Sequence, residues 1–307
     1  MMKFSKKNLT RLALVIGVLG VVLFMLYRVS LSINNSFPVH KYYSYSKAVP
    51  LQDTLELLLD SSSFKLYSLK YNSVNDKKVT GLLSIPKHIA QPMPVIILMH
   101  GLGDHKAVDY VEYGHAMLLK NGYAVLRLDI DNHGDRKTSS LNFDLTDAQK
   151  YRSRAMLTQT VFDLRRAVDF IETRKALDPK KIGYLGISLG GIIGVTFCGV
   201  EDRVKVPVIG LAGGQMNLLY KEKALTEDVK DFVSVIEPIN FIKDIAPRPL
   251  LMLNAKNDDI VPPMMTKLLY NAAKTPKRII WYDAKHRNVP LEAFYQDGLN
   301  WFNTYLK

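Results

Sequence analysis

The sequence predicts an α/β protein: a mostly parallel central sheet of about eight strands, helices on both faces of the sheet, and an N-terminal transmembrane helix before it. Two observations lead to this fold class. Short apolar runs typical of strands alternate with longer segments of helical periodicity, as expected for parallel strands joined by right-handed crossovers. In addition, 48% of the 307 residues are hydrophobic and 23% are charged, without an internal repeat, which is the composition of an ordinary globular domain.

The predicted strands begin near residue 65. Residues 65–71 and 79–85 have strand composition, and residues 95–99 form a continuous apolar run typical of a strand that is buried on both faces. Strands of that kind belong to parallel sheets. The remaining strands are predicted at residues 123–128, 181–185, 206–210, 250–253 and 279–282.

Helices are predicted between these strands. The first, residues 108–120, ends at the helix-stop sequence Asn121-Gly122. The second, residues 158–174, has apolar side chains at steps of three and four residues, which give it one buried stripe. These side chains are Val161, Leu164, Val168 and Ile171. A further helix is expected to begin at Leu189.

The segment at residues 12–27 predicts membrane targeting, because it is apolar throughout, contains no charge or proline, and follows Arg11. It is slightly shorter than the roughly 20 residues that a spanning helix prefers, but flanking Lys and Arg side chains can extend its reach. A cleaved signal peptide fits less well, because the exit from the segment lacks an Ala-x-Ala pattern. A buried helix of the domain is the third alternative.

The expected organisation follows from this segment. Residues 1–32 are predicted to be an uncleaved signal anchor, residues 33–62 a stem with a helix-like patch at 51–59, and residues 63–307 the globular domain. The basic residues before the apolar segment place the N-terminus in the cytoplasm by the positive-inside rule. The domain is then expected on the periplasmic or extracellular side of the membrane.

The net charge of +12 does not indicate a nucleic-acid partner. Seven of the 41 basic residues lie in the first 50 positions, where there is no Asp or Glu, and the rest of the chain has 34 basic against 29 acidic residues. No basic run with interleaved aromatic residues occurs, so binding to nucleic acid is not expected.

Neither a metal nor a cofactor is expected. His100 and His133 lie in loops without metal-ligand spacing to carboxylates, and we interpret them as loop-shaping hydrogen-bonding residues. The single cysteine, Cys198, lies in an apolar run and is interpreted as a core residue rather than a reactive thiol.

The sequence Gly186-Ile187-Ser188-Leu189-Gly190 is the first feature that predicts chemistry. It stands where a predicted strand ends and a predicted helix begins, which is the context of a nucleophilic serine on a sharp turn. Glycines two residues to either side avoid clashes at such a turn. We therefore interpret Ser188 as a nucleophile; the alternative is a helix N-cap, for which serine is also favoured.

A base and an acid follow Ser188 in the chain. His286 lies in a loop after the last predicted strand and is the best placed of the seven histidines to accept the serine proton. Asp258, just past the strand at 250–253, would orient the imidazole, and its neighbour Asp259 remains an alternative. The order Ser, Asp, His differs from the orders of the chymotrypsin and subtilisin folds.

An oxyanion hole needs two backbone N–H groups directed at the developing negative charge. One is expected from Leu189, directly after the nucleophile and at the start of a helix. The second is assigned to Leu102, in the His100-Gly101-Leu102-Gly103 loop that follows the third predicted strand.

These motifs together carry a family resemblance. Residues 64–307 resemble an α/β-hydrolase of the dienelactone-hydrolase, acetyl-xylan-esterase and prolyl-oligopeptidase-like group. The similar segments are the His100-Gly101 turn, the loop at 128–136, the residues 247–251 that lead into the acid strand, and the acid turn at 258–262.

The resemblance implies Ser188, Asp258 and His286 as the catalytic triad and Leu102 and Leu189 at the oxyanion hole. The chain departs from the group at Ala255 and Lys285, where many members have glycine. Because strict dienelactone hydrolases use cysteine as the nucleophile, Ser188 favours an ordinary esterase.

The expected function is that of a membrane-anchored serine hydrolase that cleaves small carboxylic esters through an acyl-enzyme, without a cofactor. Three alternatives stay open: a peptidase of the prolyl-oligopeptidase type, an acyltransferase that uses the same acyl-enzyme, and a non-catalytic binding protein with the same fold. The sequence does not predict the acyl chain, the alcohol or the oligomeric state.

Overall fold

The computed structural model of the protein describes residues 15–24, 38–140 and 142–307. Within these residues, nine strands form one sheet with the order β1-β2-β3-β5-β4-β6-β7-β8-β9. The strands are β1 (Thr54–Asp60), β2 (Phe64–Asn72), β3 (Lys78–Pro86), β4 (Met93–Met99), β5 (Ala124–Leu128), β6 (Leu177–Ile187), β7 (Val204–Gly210), β8 (Leu250–Ala255) and β9 (Lys277–Tyr282). The pairings from β5 to β9 are parallel, whereas β1, β2, β3 and β5 pair antiparallel at one edge.

Helices cover both faces of the sheet. The helices of the described residues are α1 (described over residues 15–24), α2 (Val39–Tyr42), α3 (Asp109–Lys120), α4 (Lys150–Glu172), α5 (Leu189–Val200), α6 (Glu227–Val233), α7 (Pro263–Ala272) and α8 (Leu291–Tyr305). Residues of α4 and α5 belong to one apolar cluster, and residues of α3 and α8 belong to the other. The predicted α/β arrangement is therefore confirmed.

Strand β4 shows why the sequences of the parallel strands are continuous apolar runs. Val95 and Ile97 point into the cluster under α4 and α5, whereas Ile96 and Leu98 point into the cluster under α3 and α8. All four side chains are completely buried. A strand with a helical layer on each face has no side that can be polar.

The helix-like patch predicted at residues 51–59 is wrong, because Thr54–Asp60 is the edge strand β1. It pairs with β2 in a register that sets Leu55 opposite Leu69. A short leucine-rich run has no periodicity that separates strand from helix, so the available partner strand decides the structure. The sheet thus begins inside the predicted stem, where Tyr43 is also fully buried and its hydroxyl donates to the Val235 carbonyl at 2.6 Å.

The predicted transmembrane anchor is also wrong. Across residues 15–24, 38–140 and 142–307, no helix has both the length and the apolar character needed to cross a bilayer. Residues 15–24 of the predicted segment are helical. Residues 12–14 and 25–27 of that segment lie outside the described residues. The prediction of a single-pass membrane protein, from which the extracytoplasmic location of the domain was inferred, is corrected accordingly.

Candidate active site

Ser188 occupies a sharp turn between β6 and α5. Its backbone has φ 57° and ψ −118°, a conformation that non-glycine residues adopt rarely and at an energetic cost. The flanking glycines are sterically required: a Cβ on Gly186 would lie 2.4 Å from the Gly190 carbonyl oxygen, and one on Gly190 would lie 2.5 Å from the His100 carbonyl oxygen. The turn therefore holds the serine hydroxyl at the carboxyl edge of the parallel strands, partly open to solvent.

The structure brings His286 and Asp258 to this serine. Nε2 of His286 lies 2.9 Å from Ser188 Oγ, and Nδ1 lies 2.7 Å from Oδ2 and 2.9 Å from Oδ1 of Asp258. Because a carboxylate only accepts hydrogen bonds, the neutral imidazole carries its proton on Nδ1. Nε2 is then the nitrogen that accepts the hydrogen bond from the serine hydroxyl.

The two candidate acids, Asp258 and Asp259, have different surroundings. The side chain of Asp258 is 4% exposed, and its Oδ1 also accepts the backbone N–H groups of Ile260 at 2.9 Å and Val261 at 2.7 Å. The side chain of Asp259 is 54% exposed and accepts only the backbone N–H of His286, at 3.4 Å, besides a Lys285 ammonium at 3.8 Å. Asp258 is the carboxylate that contacts the imidazole.

Both predicted oxyanion donors border Ser188. Leu189 is the first residue of α5, and N–H groups in the first turn of a helix have no acceptor within the helix. Leu102 follows Gly101, which packs directly against the serine: a Cβ on Gly101 would lie 3.3 Å from Ser188 Cβ. Leu102 itself is 43% exposed.

His100 holds the peptide before Leu102. Its buried ring accepts the Ile130 N–H on Nε2 at 3.1 Å, so Nδ1 carries the proton and donates to the Gly101 carbonyl at 2.7 Å. Burial lowers the pKa of His100 to about 4, which keeps the ring neutral. In a trans peptide the carbonyl and the next N–H point in opposite directions, so the bond to Gly101 also orients the Leu102 N–H.

A buried ion pair under this loop was not anticipated from the sequence. The Lys106 ammonium donates to Asp129 Oδ2 and to Asp135 Oδ2, both at 2.6 Å, and the Lys106 backbone N–H donates to Asp129 Oδ1 at 2.9 Å. Burial raises the pKa of Asp129, but the hydrogen bonds and the charge of Lys106 outweigh it and hold that pKa below its ordinary value. Asp129 belongs to a segment of the family resemblance, whereas Lys106, 23 positions earlier, had no local signal.

A cleft of about 460 Å³ opens beside the oxyanion loop. Leu102 and Asp104 form one wall, and the segment after β5 forms the other. The second wall includes the polar side chains of Asn132, His133, Lys137, Ser139, Ser140 and Asn142, together with the apolar Phe143 and Met156. A volume of this size accommodates a small-molecule ligand.

Within the described part of the chain, no group of three or more His, Cys, Asp or Glu side chains is arranged to hold a metal ion. Cys198 is completely buried, and burial raises the pKa of its thiol to about 12. It packs in the apolar cluster under α4 and α5.

The fold and the site together define a class of protein. A strained serine between a parallel strand and a helix, with a histidine in the loop after the last strand, is the arrangement of an α/β hydrolase.

The acetyl xylan esterase (AXE1) family matches residues 46–210, which is more than half of the chain. The protein belongs to this family. The suspected superfamily is thereby confirmed, and the prediction of a hydrolase that acts on esters is confirmed at the level of the family. The match includes Ser188 and ends at Gly210, before Asp258 and His286.

Curated relatives match at low sequence identity. The protein YtaP of Bacillus subtilis (strain 168) is 24% identical over 193 residues, which cover 58% of this chain and 64% of YtaP. The acetyl esterase Axe7A of Xylanibacter ruminicola is 22% identical over 247 residues, which cover 71% of this chain and 54% of Axe7A. The chain thus spans less than two thirds of the length of each of these relatives.

Solved structures of esterases share the fold. The acetyl xylan esterase from Paenibacillus sp. R4 superimposes with a TM-score of 0.75 at 21% identity, and the match covers 90% of this chain and 96% of that one. Acetyl xylan esterase 1 from Thermoanaerobacterium sp. JW/SL YS485 gives a TM-score of 0.67 at 17% identity over 86% and 91% of the two chains. At such identities the similarity concerns the fold alone.

Proposed function

We propose that the protein is a serine esterase that hydrolyses carboxylic esters through an acyl-enzyme formed on Ser188. The observation that supports this most directly is the position of the His286 imidazole, which contacts both Ser188 Oγ at 2.9 Å and the Asp258 carboxylate at 2.7 Å. The geometry allows one proton to move from the serine to the imidazole while the carboxylate stabilises the imidazolium that forms.

The first half of the reaction forms the acyl-enzyme. Ser188 Oγ attacks the ester carbonyl carbon as His286 Nε2 takes the hydroxyl proton, which gives a tetrahedral adduct. The backbone N–H groups of Leu102 and Leu189 would donate to its oxyanion. His286 then returns the proton to the alkoxide of the leaving alcohol as the bond between the carbonyl carbon and that oxygen breaks.

Water completes the second half. His286 deprotonates the water molecule as it attacks the acyl carbon, and the collapse of the second adduct releases the carboxylic acid and restores Ser188. Since Asp258 holds Nδ1 protonated, Nε2 is available as the base in both halves. The reaction requires no redox group.

We further propose acetyl esters of hydroxylated alcohols as the substrate class. Two features support this choice: membership of the acetyl xylan esterase family, and the polar side chains in the wall of the cleft beside Leu102. Side chains such as Ser140 and Asn142 offer hydrogen bonds that an alcohol with several hydroxyl groups can use.

The test is turnover of p-nitrophenyl acetate, butyrate and octanoate, with acetylated xylo-oligosaccharides as the hydroxylated substrate, combined with labelling by a fluorophosphonate probe. We expect the highest kcat/KM with acetyl esters, and loss of both turnover and labelling in Ser188→Ala. The control is Ser63→Ala, an exposed serine in the turn between β1 and β2.

Labelling that survives Ser188→Ala would refute the nucleophile. A preference for octanoate would refute the substrate class. Faster cleavage of peptide substrates than of esters would favour the peptidase, and acyl transfer to added alcohols in preference to water would favour the acyltransferase. A protein without turnover or labelling would match the non-catalytic alternative.

A further inference from the structure

Tyr110, near the start of α3, contacts the oxyanion loop at Gly101, the residue whose carbonyl His100 holds. Its hydroxyl oxygen lies 2.7 Å from the backbone nitrogen of Gly101 and 2.9 Å from Oδ2 of Asp104. An amide N–H only donates and a carboxylate only accepts, so the direction of both bonds is determined. The phenol accepts from Gly101 and donates to Asp104.

These two hydrogen bonds connect the two ends of the loop through one side chain. Gly101 and Asp104 are three residues apart at the two ends of the turn that contains Leu102, and the single oxygen of Tyr110 bonds to both ends. Burial raises the pKa of Tyr110 above its ordinary value, so the phenol keeps the proton that it donates to Asp104.

Gly101 lies between Tyr110 and the nucleophile. A Cβ on Gly101 would be 3.3 Å from Tyr110 Oη and also 3.3 Å from Ser188 Cβ. The loop is thus closely packed between the phenol and the serine at this residue. His100 holds the carbonyl of Gly101, and Tyr110 holds its N–H, so both peptide groups of this residue are fixed before any substrate binds.

We propose that Tyr110, held by Asp104, is a positioning residue of the oxyanion hole, which acts by fixing the His100–Gly101 peptide and, through Gly101, the next peptide, which presents the Leu102 N–H to the reacting carbonyl. The inference rests on the proposed function of Ser188 and Leu102. Tyr110 acts through Gly101 and does not touch the ester. We therefore expect it to stabilise the tetrahedral adduct and to have little effect on binding of the ester.

The first measurement compares Tyr110→Phe with Tyr113→Phe. Tyr113 lies one turn further along α3 and is 40% exposed. Tyr113→Phe is the control, because it removes the same phenol oxygen at a position away from the loop. In Tyr110→Phe the Gly101 N–H has no acceptor and the loop can tilt. We expect kcat for p-nitrophenyl acetate to fall by about 10- to 100-fold, below the cost of deleting an oxyanion donor outright, while KM changes by less than about threefold.

Asp104 supplies a rescue experiment. In Asp104→Asn the side-chain carbonyl oxygen can still accept the Tyr110 hydroxyl, whereas Asp104→Ala removes the acceptor. We expect the Asn variant to keep kcat within about threefold of wild type, and the Ala variant to approach Tyr110→Phe. Equal losses in both variants would mean that the carboxylate charge matters instead, and would overturn the bridge.

Two inhibitors distinguish a loss of oxyanion positioning from a general disturbance of the active site. A trifluoromethyl ketone forms a tetrahedral oxyanion on Ser188, whereas an ether of the same shape does not. In Tyr110→Phe, Ki for the ketone should rise by the same factor as kcat/KM falls, and Ki for the ether should stay within about twofold. Thermal unfolding of each variant identifies any loss of folding.

Unchanged kcat in a folded Tyr110→Phe, or equal loss of affinity for both inhibitors, would overturn the inference while the esterase assignment stands. If Tyr110→Phe fails to fold, the contrast between the two Asp104 variants decides. A wild-type protein that turns over no ester would overturn the proposed function and this inference together, so the two failures are distinguishable.

Discussion

The two loops that flank Ser188 are held in different ways. On the oxyanion side, the Lys106 ammonium is 10% exposed and lies 2.6 Å from Asp129, whose carboxylate is fully buried. On the acid side, the Lys285 ammonium is 66% exposed and lies 3.8 Å from Asp259, which is 54% exposed. One loop is fixed by a buried ion pair, and the other faces solvent.

The acid side instead depends on one residue within its own turn. Asp258 accepts the N–H groups of Ile260 and Val261, so the same carboxylate that contacts His286 also shapes the loop that presents it. The oxyanion side spreads its support over residues distant in sequence, such as Ile130 and Asp129. We infer that changes on the acid side affect activity most, and that changes on the oxyanion side affect folding as well.

The largest expected effect tests the acid side. Asp258→Asn should lower kcat by about 10⁴-fold, because an amide can impose the wrong imidazole tautomer and does not stabilise the imidazolium. The matched variant Asp259→Asn should stay within about threefold of wild type, since Asp259 lies away from the imidazole ring. Steady-state kinetics with p-nitrophenyl acetate measure both. A larger loss in Asp259→Asn would reverse the assignment of the acid.

The second prediction compares the two lysines. Lys106→Met leaves the Asp129 carboxylate buried without its ammonium, and we expect the free energy of unfolding to fall by about 3 to 5 kcal/mol. Lys285→Met, which removes an exposed charge, should change it by less than about 0.5 kcal/mol. Urea titrations of the two variants measure the free energy of unfolding. Equal losses in the two variants would contradict the inference that a buried ion pair holds only the oxyanion loop.

The third prediction concerns pH. Burial lowers the pKa of His100 from 6.5 to about 4, so the unfolded chain binds a proton between these values while the folded protein does not. Stability is therefore complete above about pH 6.5 and falls as the pH drops toward about 4, by about 1.4 kcal/mol per pH unit for this group.

His115, whose pKa burial also lowers to about 4, adds to the same slope. Unfolding free energies at pH 7, 6 and 5 should show a shallower slope in His100→Asn. The control His88→Asn replaces an exposed histidine at φ 62°, where asparagine is tolerated, and should keep the wild-type slope. Identical slopes in all three proteins would refute the buried neutral His100.

The smallest expected effect is that of Leu102→Ala. The proposed role of Leu102 uses its backbone N–H, and the residue is 43% exposed, so kcat/KM should stay within about threefold of wild type. A loss greater than tenfold would show that the side chain itself contacts substrate. A side chain would then act directly on the oxyanion side, as the Asp258 side chain is proposed to do on the acid side.

The sequence predicted the site better than it predicted the N-terminal part of the chain. Ser188, Asp258 and His286 were identified as a set, and the structure places their side chains within hydrogen-bonding distance, although their catalytic roles remain a proposal. The prediction of a helix-like patch at 51–59 was wrong, because the structure of this leucine-rich run depends on pairing with β2. Tyr110 and Lys106 were missed, because neither belongs to a motif.

By itself, the sequence determined the alternation of strands and helices and the turn at Ser188. Those features depend on neighbouring residues: continuous apolar runs need two covered faces, and a strained turn needs Gly186 and Gly190. Only the tertiary structure decided which aspartate meets His286, and that Tyr110 and His100 hold Gly101 from two sides. The physical reason is that a hydrogen bond depends on a distance and a direction in space, which no short stretch of sequence contains.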